Sequence, residues 1–256
     1  MSGRKLTVSV QMYTLRDHSA KDFLGTFTQV AKIGYGAVEL AGTNNLPALE
    51  LKKHLDSLGL AVSGAHVGIQ ELEGDNFQKT VDYYRALNVK YIICPWWPAE
   101  RRKTQAEWLE SSRQLNEIGA KLRALGMQMC YHNHDFEFQQ VDGKYGWDLL
   151  FQNAEPQNLG AELDCYWVSK AGIDPVRIIR QYKGRIPLLH AKDMAAGPEK
   201  HFASVGAGIL NWPAIIQAAR ESGTLWYVVE QDDCYGQDSF ESVKISLQNL
   251  KKMGVE

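Results

Sequence analysis

Neither sign of charge is in excess in this chain. Its 256 residues carry 28 Lys and Arg against 30 Asp and Glu, a formal charge of −2, so no general basic field exists to hold a nucleic-acid backbone. Long hydrophobic runs are also missing: no segment reaches the roughly 18 apolar residues of a membrane helix. The opening stretch MSGRKLTVSVQMY has two basic residues, but its apolar run is short and alternating rather than a signal-peptide core. These absences predict a cytoplasmic protein with no membrane or nucleic-acid partner. Cysteine is scarce. Cys94, Cys130, Cys165 and Cys234 show no CxxC pairing, and three of them lie in or beside hydrophobic runs, as reduced core thiols do. Neither disulfides nor a zinc finger is expected. At 45% hydrophobic and 23% charged residues, the composition is that of a soluble globular protein with a large core, not of a disordered or fibrous chain.

Short apolar runs alternate with amphipathic stretches along the whole sequence. Strands are predicted at Leu6 to Met12, Gly36 to Leu40, Ala61 to His66, Tyr91 to Pro95, Met127 to His132, Leu159 to Asp164, Ile186 to His190 and Trp226 to Glu230. Each is brief and mostly apolar, as parallel strands buried on both faces are. Between them stand helix signals: Ser19 with Asp22 and Thr104 with Glu107 as capping boxes, Gly34 and Gly126 as exits, Asp174-Pro175 and Asn211-Trp212-Pro213 as starts, and Asp238 with Glu241 before the last helix. A helix after every strand implies a parallel α/β sheet, open or closed. Eight units in this length match a (β/α)8 TIM barrel, and the glycine-rich phosphate turn of an open doubly wound sheet is missing after the first strand, where Gln11-Met12-Tyr13-Thr14-Leu15 stands. No linker or shift of composition divides residues 1–256, which read as one domain.

In such a barrel the active site is built at the carboxyl ends of the strands. Those ends carry Gln11, Glu39, His66, Trp96, His132 with His134, Asp164, His190 with Lys192, and Glu230 with Asp232. All but one are polar, although burying an unpaired charge is costly. His132, Asp164, His190 and Glu230, from the last four strands, are two imidazoles and two carboxylates, a set suited to Mn²⁺, Co²⁺ or Zn²⁺, with Mg²⁺ a further candidate.

The motifs GAVELAG at 36–42, SGAHVG at 63–68, YHNHDFEF at 131–138, ELDCYW at 162–167, LLHAKDM at 188–194 and VVEQDD at 228–233, taken in this order, resemble the xylose isomerase-like TIM barrels of sugar isomerases and epimerases, to which inosose dehydratases and endonuclease IV are related. The resemblance covers nearly the whole chain. It implies a metal held by an acid ending strand five, an Asp ending strand six, a His ending strand seven and a Glu ending strand eight. Asp164, His190 and Glu230 fall on the last three, and His132 stands where sugar epimerases keep a glutamate. Inosose dehydratases and enzymes acting on 3-keto sugars are similar in having histidines there. In the epimerases the two glutamates face opposite sides of the substrate carbon, so here one partner is missing. Glu137 is a candidate to swing in as acid, base or ligand, and His134 is a second ligand, a substrate contact or a proton carrier.

Lys192 lies two residues past His190 and faces the same way on an extended chain. Beside a metal its ammonium is expected to have a depressed pKa and to act as donor or base, or else to pair with Glu230 or Glu162. Glu39 and His66 are expected to bond sugar hydroxyls, Glu162 to support the ligands from one layer deeper, and Tyr13, Trp96, Trp97, Tyr166 and Trp167 to form a wall against a sugar face. The loop from Asp193 to Asn211 is long enough for a lid.

The leading expectation is a metal-dependent isomerase or epimerase of a keto sugar or related cyclitol, working by proton abstraction next to a polarised carbonyl. Elimination by a dehydratase or 3-keto-sugar lyase is the alternative. An endonuclease IV-like repair enzyme is disfavoured: its three-zinc cluster needs further histidines, whereas strand four ends in Pro95-Trp96 and Trp167 follows Asp164 by three. A sugar-binding barrel without chemistry has no need of three converging ligands. No phosphate cradle is evident, which favours an unphosphorylated substrate, and the sequence leaves room for a homo-oligomer.

Overall fold

The computed structural model describes residues 7–255. Eight strands, β1 (Thr7–Gln11), β2 (Ala37–Ala41), β3 (Ala61–His66), β4 (Tyr91–Cys94), β5 (Gln128–His132), β6 (Leu159–Asp164), β7 (Leu188–Ala191) and β8 (Trp226–Val229), pair in chain order, and β1 closes on β8. Every barrel pairing is parallel. The expected strands are all present with ends shifted by no more than two residues; Leu6 lies outside the described residues.

Helix starts follow the sequence signals closely. Thr104 and Glu107 form a reciprocal capping box on Gln105–Ala124, and Asp174, Asn211 and Asp238 each cap a helix through a side-chain oxygen. The Ser19–Asp22 pair is corrected: Ser19 ends the short helix Arg16–Ser19, while Asp22 itself caps Phe23–Ile33 by accepting from the Gly25 N–H. Gly34 leaves that helix at φ 107°, a left-handed conformation open to glycine. The longest helix presses on the strand layer through Gly119, where an added Cβ would stand 1.9 Å from the Asn158 carbonyl oxygen. Backbone cannot yield as a flexible side chain does, so Gly119→Ala should cost at least about 1–3 kcal/mol of unfolding free energy in urea titration.

The side chains that point into the barrel fall into two layers. The lower one is apolar and small: Tyr91, Ile93, Cys130, Leu188 and Val228 pack together, with Ser9 and Ser63 hydrogen-bonded beside them at 2.7 Å. Above it the inward positions turn polar together: Gln11, Glu39, His66, His132, Glu162, Asp164, His190, Lys192 and Glu230. Gly64 makes room for this upper layer, since a Cβ there would lie 2.9 Å from Glu39 Oε2. Register sets the heights: His132 is level with Glu162, and Asp164 with His190.

The segment after β7 is not a free lid. Asp193–Met194 pairs antiparallel with Phe202–Ala203, and the buried Asp193 carboxylate accepts from the N–H groups of Met194, Gly206, Gly208 and Leu210 and from the Trp212 indole. Val205 is tied further to the last helix through Ser246 and Asn249. The cysteines are free, with Cys94, Cys130 and Cys165 buried. Among the described residues no helix is long and apolar enough to cross a membrane.

Candidate metal centre and its pocket

β5, β6, β7 and β8 bring His132, Asp164, His190 and Glu230 together, with one ligand atom from each lying within 4.8 Å of all the others, and all four residues buried. Local structure fixes their aim. Asp164 ends β6 and caps the next helix, its Oδ1 accepting from the Trp167 N–H, which leaves Oδ2 facing the centre. Glu230 Oε2 lies 2.8 Å from His190 Nδ1. Asp164 Oδ2 faces the Lys192 ammonium at 3.0 Å and His132 Nδ1 lies 3.2 Å from Glu162 Oε2, neither in an aligned hydrogen bond. Two imidazoles and two carboxylates buried together are the donor chemistry of a borderline divalent cation, so the set fits one.

Lys192 is the correction to the expected electrostatics. Its Nζ lies 2.7 Å from Glu230, 2.8 Å from Asp232 and 3.0 Å from Asp164. Burial by itself would lower its pKa, but these three carboxylates outweigh burial and hold it well above the usual lysine value. Burial raises Asp164 to about 6 against the pull of Lys192. Glu230 goes the other way: Lys192 and His190 overcome burial and keep it well below the usual carboxylate range. His134 falls to about 3 and His132 well below its ordinary value, chiefly through burial. Both are neutral imidazoles able to offer a lone pair.

One layer down lies a second cluster. Glu162 Oε2 is 2.7 Å from His66 Nε2, 3.0 Å from His190 Nε2 and 3.2 Å from His132 Nδ1. Glu39 Oε1 accepts from Gln11 Nε2 at 2.7 Å and sits 2.8 Å from His190 Nε2 and 3.1 Å from His66 Nε2. Burial opposes every charge here, yet the pairing wins for three of them: His66 rises to about 9, His190 well above its ordinary value, and Glu39 falls well below. Glu162 is raised, with burial first and the neighbouring Glu39 second.

Above the centre opens a cavity of about 450 Å³ lined by Tyr13, His66, Trp96, His132, His134, Lys192, Glu230 and Asp232 among others. Of the expected substrate contacts, His66, Trp96 and Tyr13 meet it. Glu39 does not: it is fully buried beneath His66 and His190 and supports them instead. Trp167 borders the site rather than lining it, with its ring 5.2 Å from that of His134 and 5.6 Å from Lys192 Nζ. Trp97 is core, and the Tyr166 hydroxyl is committed to the Lys200 carbonyl. Tyr13 and Trp96 stand at the rim, about half exposed, each with an arginine over its ring, Arg16 and Arg102.

Glu137 is turned away from this pocket. Its carboxylate accepts from the Tyr131 hydroxyl at 2.6 Å and from the His134 N–H at 2.8 Å. It thus fixes the turn that aims His134 and is neither a solvated loop carboxylate nor a group at the cavity. Burial pushes its carboxyl from the ordinary 4.5 up to about 8. The unfolded chain loses this proton first, so the stabilisation present below pH 4.5 is lost as pH rises to about 8. Unfolding free energy measured across that range should fall less steeply in Glu137→Gln than in the parent.

Two supporting residues are given no role by the sequence. Asn133 bridges β5 to β6, with its Oδ1 accepting from the Asp164 N–H at 2.9 Å, so it sets the spacing of two ligands. Asp232, beyond β8, completes the lysine's carboxylate cage. Asn133 is legible only as the residue between two inward histidines, a position that faces away on a strand.

The chain is 24% identical over 201 residues to inosose dehydratase of Geobacillus kaustophilus, covering 70% of this chain and 64% of that one. It therefore spans less than two thirds of this curated relative's length. Two crystal structures of sugar phosphate isomerase/epimerases from Parabacteroides distasonis share the fold. One is 27% identical with a TM-score of 0.79, covering 98% of this chain and 94% of that one; the other is 25% identical with a TM-score of 0.84, covering 98% of each. The family described as the xylose isomerase-like TIM barrel matches residues 27–253, and the chain, a closed eight-strand barrel, belongs to that family.

Proposed function

We propose that the protein is a divalent-metal-dependent enzyme that takes a proton from the carbon beside the carbonyl of a keto sugar or keto-cyclitol and expels the hydroxyl on the next carbon as water. The observation that carries this reading is the convergence of His132, Asp164, His190 and Glu230 on the floor of a cavity that Lys192 also lines. These four residues would hold a divalent ion, which would supply polarisation of the carbonyl and so a more acidic neighbouring C–H. Glu230 accepts the proton. Lys192, in contact with it at 2.7 Å, protonates the departing hydroxyl, and the proton then passes from Glu230 to Lys192, so that one water is lost overall. His134, as a neutral ring at the wall, orients a hydroxyl.

Elimination is preferred to epimerisation because an epimerase needs a base on each face of the reacting carbon. The strand-five side here offers no carboxylate to the cavity: burial lowers the basicity of both His132 and His134, and Glu137 points elsewhere. The similarity to an inosose dehydratase supports the same choice. Isomerisation is the second reading, supported by the sugar phosphate isomerase/epimerase structures; it needs the proton returned to the adjacent carbon from the same face. Proton NMR in deuterium oxide with unphosphorylated keto sugars and inosose separates them. A dehydrated product supports elimination, solvent deuterium at one carbon without loss of water supports isomerisation, and neither change with any substrate in the presence of Mn²⁺ or Co²⁺ sinks the enzymatic reading.

A further inference from the structure

His190 faces two ligand sets at once, one from each ring nitrogen. Nδ1 looks up to Glu230 Oε2 at 2.8 Å and Asp164 Oδ2 at 4.0 Å; Nε2 looks down to Glu39 Oε1 at 2.8 Å and Glu162 Oε2 at 3.0 Å. The lower set is itself a complete group of donors. His66, His132, Glu162 and His190 each place a ligand atom within 4.8 Å of the others. Three imidazole nitrogens surround Glu162 Oε2 at 2.7 to 3.2 Å, close to the spacing of donor atoms sharing one ion whose bonds are about 2.0–2.2 Å. The hydrogen-bond account of this cluster is incomplete, for Glu162 Oε1 and Glu39 Oε2 are buried with no hydrogen-bond partner and His132 Nδ1 meets the Glu162 carboxylate without an aligned hydrogen bond.

The surrounding carboxylates favour a protonated His190, and a bound cation displaces one of its protons, leaving an imidazole with one lone pair and one N–H. When the His190 lone pair is on Nδ1, the ring serves the upper set and its Nε2–H donates to Glu39 or Glu162. When the lone pair is on Nε2, the ring serves the lower set and Nδ1–H donates to Glu230. From this we infer that the barrel has two alternative seats for a single divalent ion, an upper one at the cavity and a lower one beneath it, chosen by the tautomer of His190. The lower seat is formed by His66, His132, Glu162 and His190.

The seats differ in chemistry. The upper one has two carboxylates and two imidazoles, and Glu230 and His132 border open space, so it leaves positions for water and substrate and suits manganese or magnesium. The lower one has three imidazoles and one carboxylate, with Glu162 and His190 fully buried and His66 and His132 reaching the cavity floor, a nitrogen-rich set of four donors that suits tetrahedral zinc. Zinc in the lower seat occupies His132 and His190 and so empties the upper one. The inference rests on the upper set being the working metal site, and it predicts that zinc displaces manganese without adding a second ion.

Crystals soaked separately in Zn²⁺ and Mn²⁺, with anomalous scattering recorded for each, test this directly. The expected result is manganese between Asp164 and Glu230, zinc between His66 and Glu162, and one ion per chain by mass spectrometry in both. Calorimetric titration of His66→Gln should show zinc affinity reduced by about 10–100-fold or more, with manganese affinity changed less than about threefold. Zinc on the upper seat, two ions bound together, or equal loss of both affinities overturns the inference; if the variant does not fold, the position of zinc in the parent protein decides alone. Turnover enters none of these readings. Ions placed as expected with no reaction on any keto sugar would sink the proposed function only, and no ion bound anywhere would sink both.

Discussion

Glu230→Gln is expected to lower kcat on the substrate found by NMR by roughly 10²–10⁴-fold, the contribution typical of a positioned general base. The substitution keeps the shape of the side chain and an oxygen to accept from Lys192, while Asp164 and Asp232 still hold that ammonium at 3.0 and 2.8 Å. The fold should therefore survive, and near-normal melting is the control. Because Glu230 is also one of the four donors at the floor, metal affinity should fall with it. Steady-state kinetics at saturating Mn²⁺ separate the two effects: a kcat restored to within tenfold by excess metal would leave Glu230 a ligand alone and move the base elsewhere.

Asp193→Ala is expected to cause the largest loss of stability of any single change discussed. Five donors converge on that carboxylate, four of them backbone N–H groups between Met194 and Leu210 and the fifth the Trp212 indole. Alanine leaves them pointing into a dry space with nothing to accept. At about 1–3 kcal/mol for each buried polar group deprived of its partner, relaxation of the loop can recover only part, and the net cost should exceed about 3 kcal/mol in urea unfolding. Asp193→Asn is the informative comparison, because it retains one acceptor oxygen; a loss equal to that of alanine would mean that both oxygens are indispensable. Limited proteolysis within 195–210 should appear in the alanine variant before global unfolding does.

The contrast between these two residues explains what the sequence reveals. Glu230 is legible because it ends an apolar strand, VVEQDD, at a height set by counting, and the same counting finds Asp164, His190 and His132. The barrel follows from alternation and caps, since helix starts such as Thr104 with Glu107 are local hydrogen-bond devices that depend on neither packing nor topology. Asp193 is not legible in this way, because its partners lie up to 19 residues on and are mostly backbone. Glu137 misleads for a related reason: nothing near it in sequence says that Tyr131, six residues earlier, will claim its carboxylate behind the strand. Glu39 reads as a strand-end residue but stands in the middle of β2 (Ala37–Ala41), at a depth that depends on the register with its neighbours and on the missing side chain at Gly64. The raised pKa of Lys192 comes from Asp232 and Asp164 acting together with Glu230, a sum over three strands that no single motif displays.

The pinned segment after β7 has a bearing on which molecules the cavity admits. With Asp193 and the Ser246 and Asn249 contacts anchoring that loop, the mouth stays open, and Tyr13 and Trp96 flank an exit rather than a closing door. A ligand whose reacting ring reaches the floor can trail an appended group outward between those two rings. Discrimination would then fall on the ring that reaches the floor and be relaxed toward whatever is attached to it.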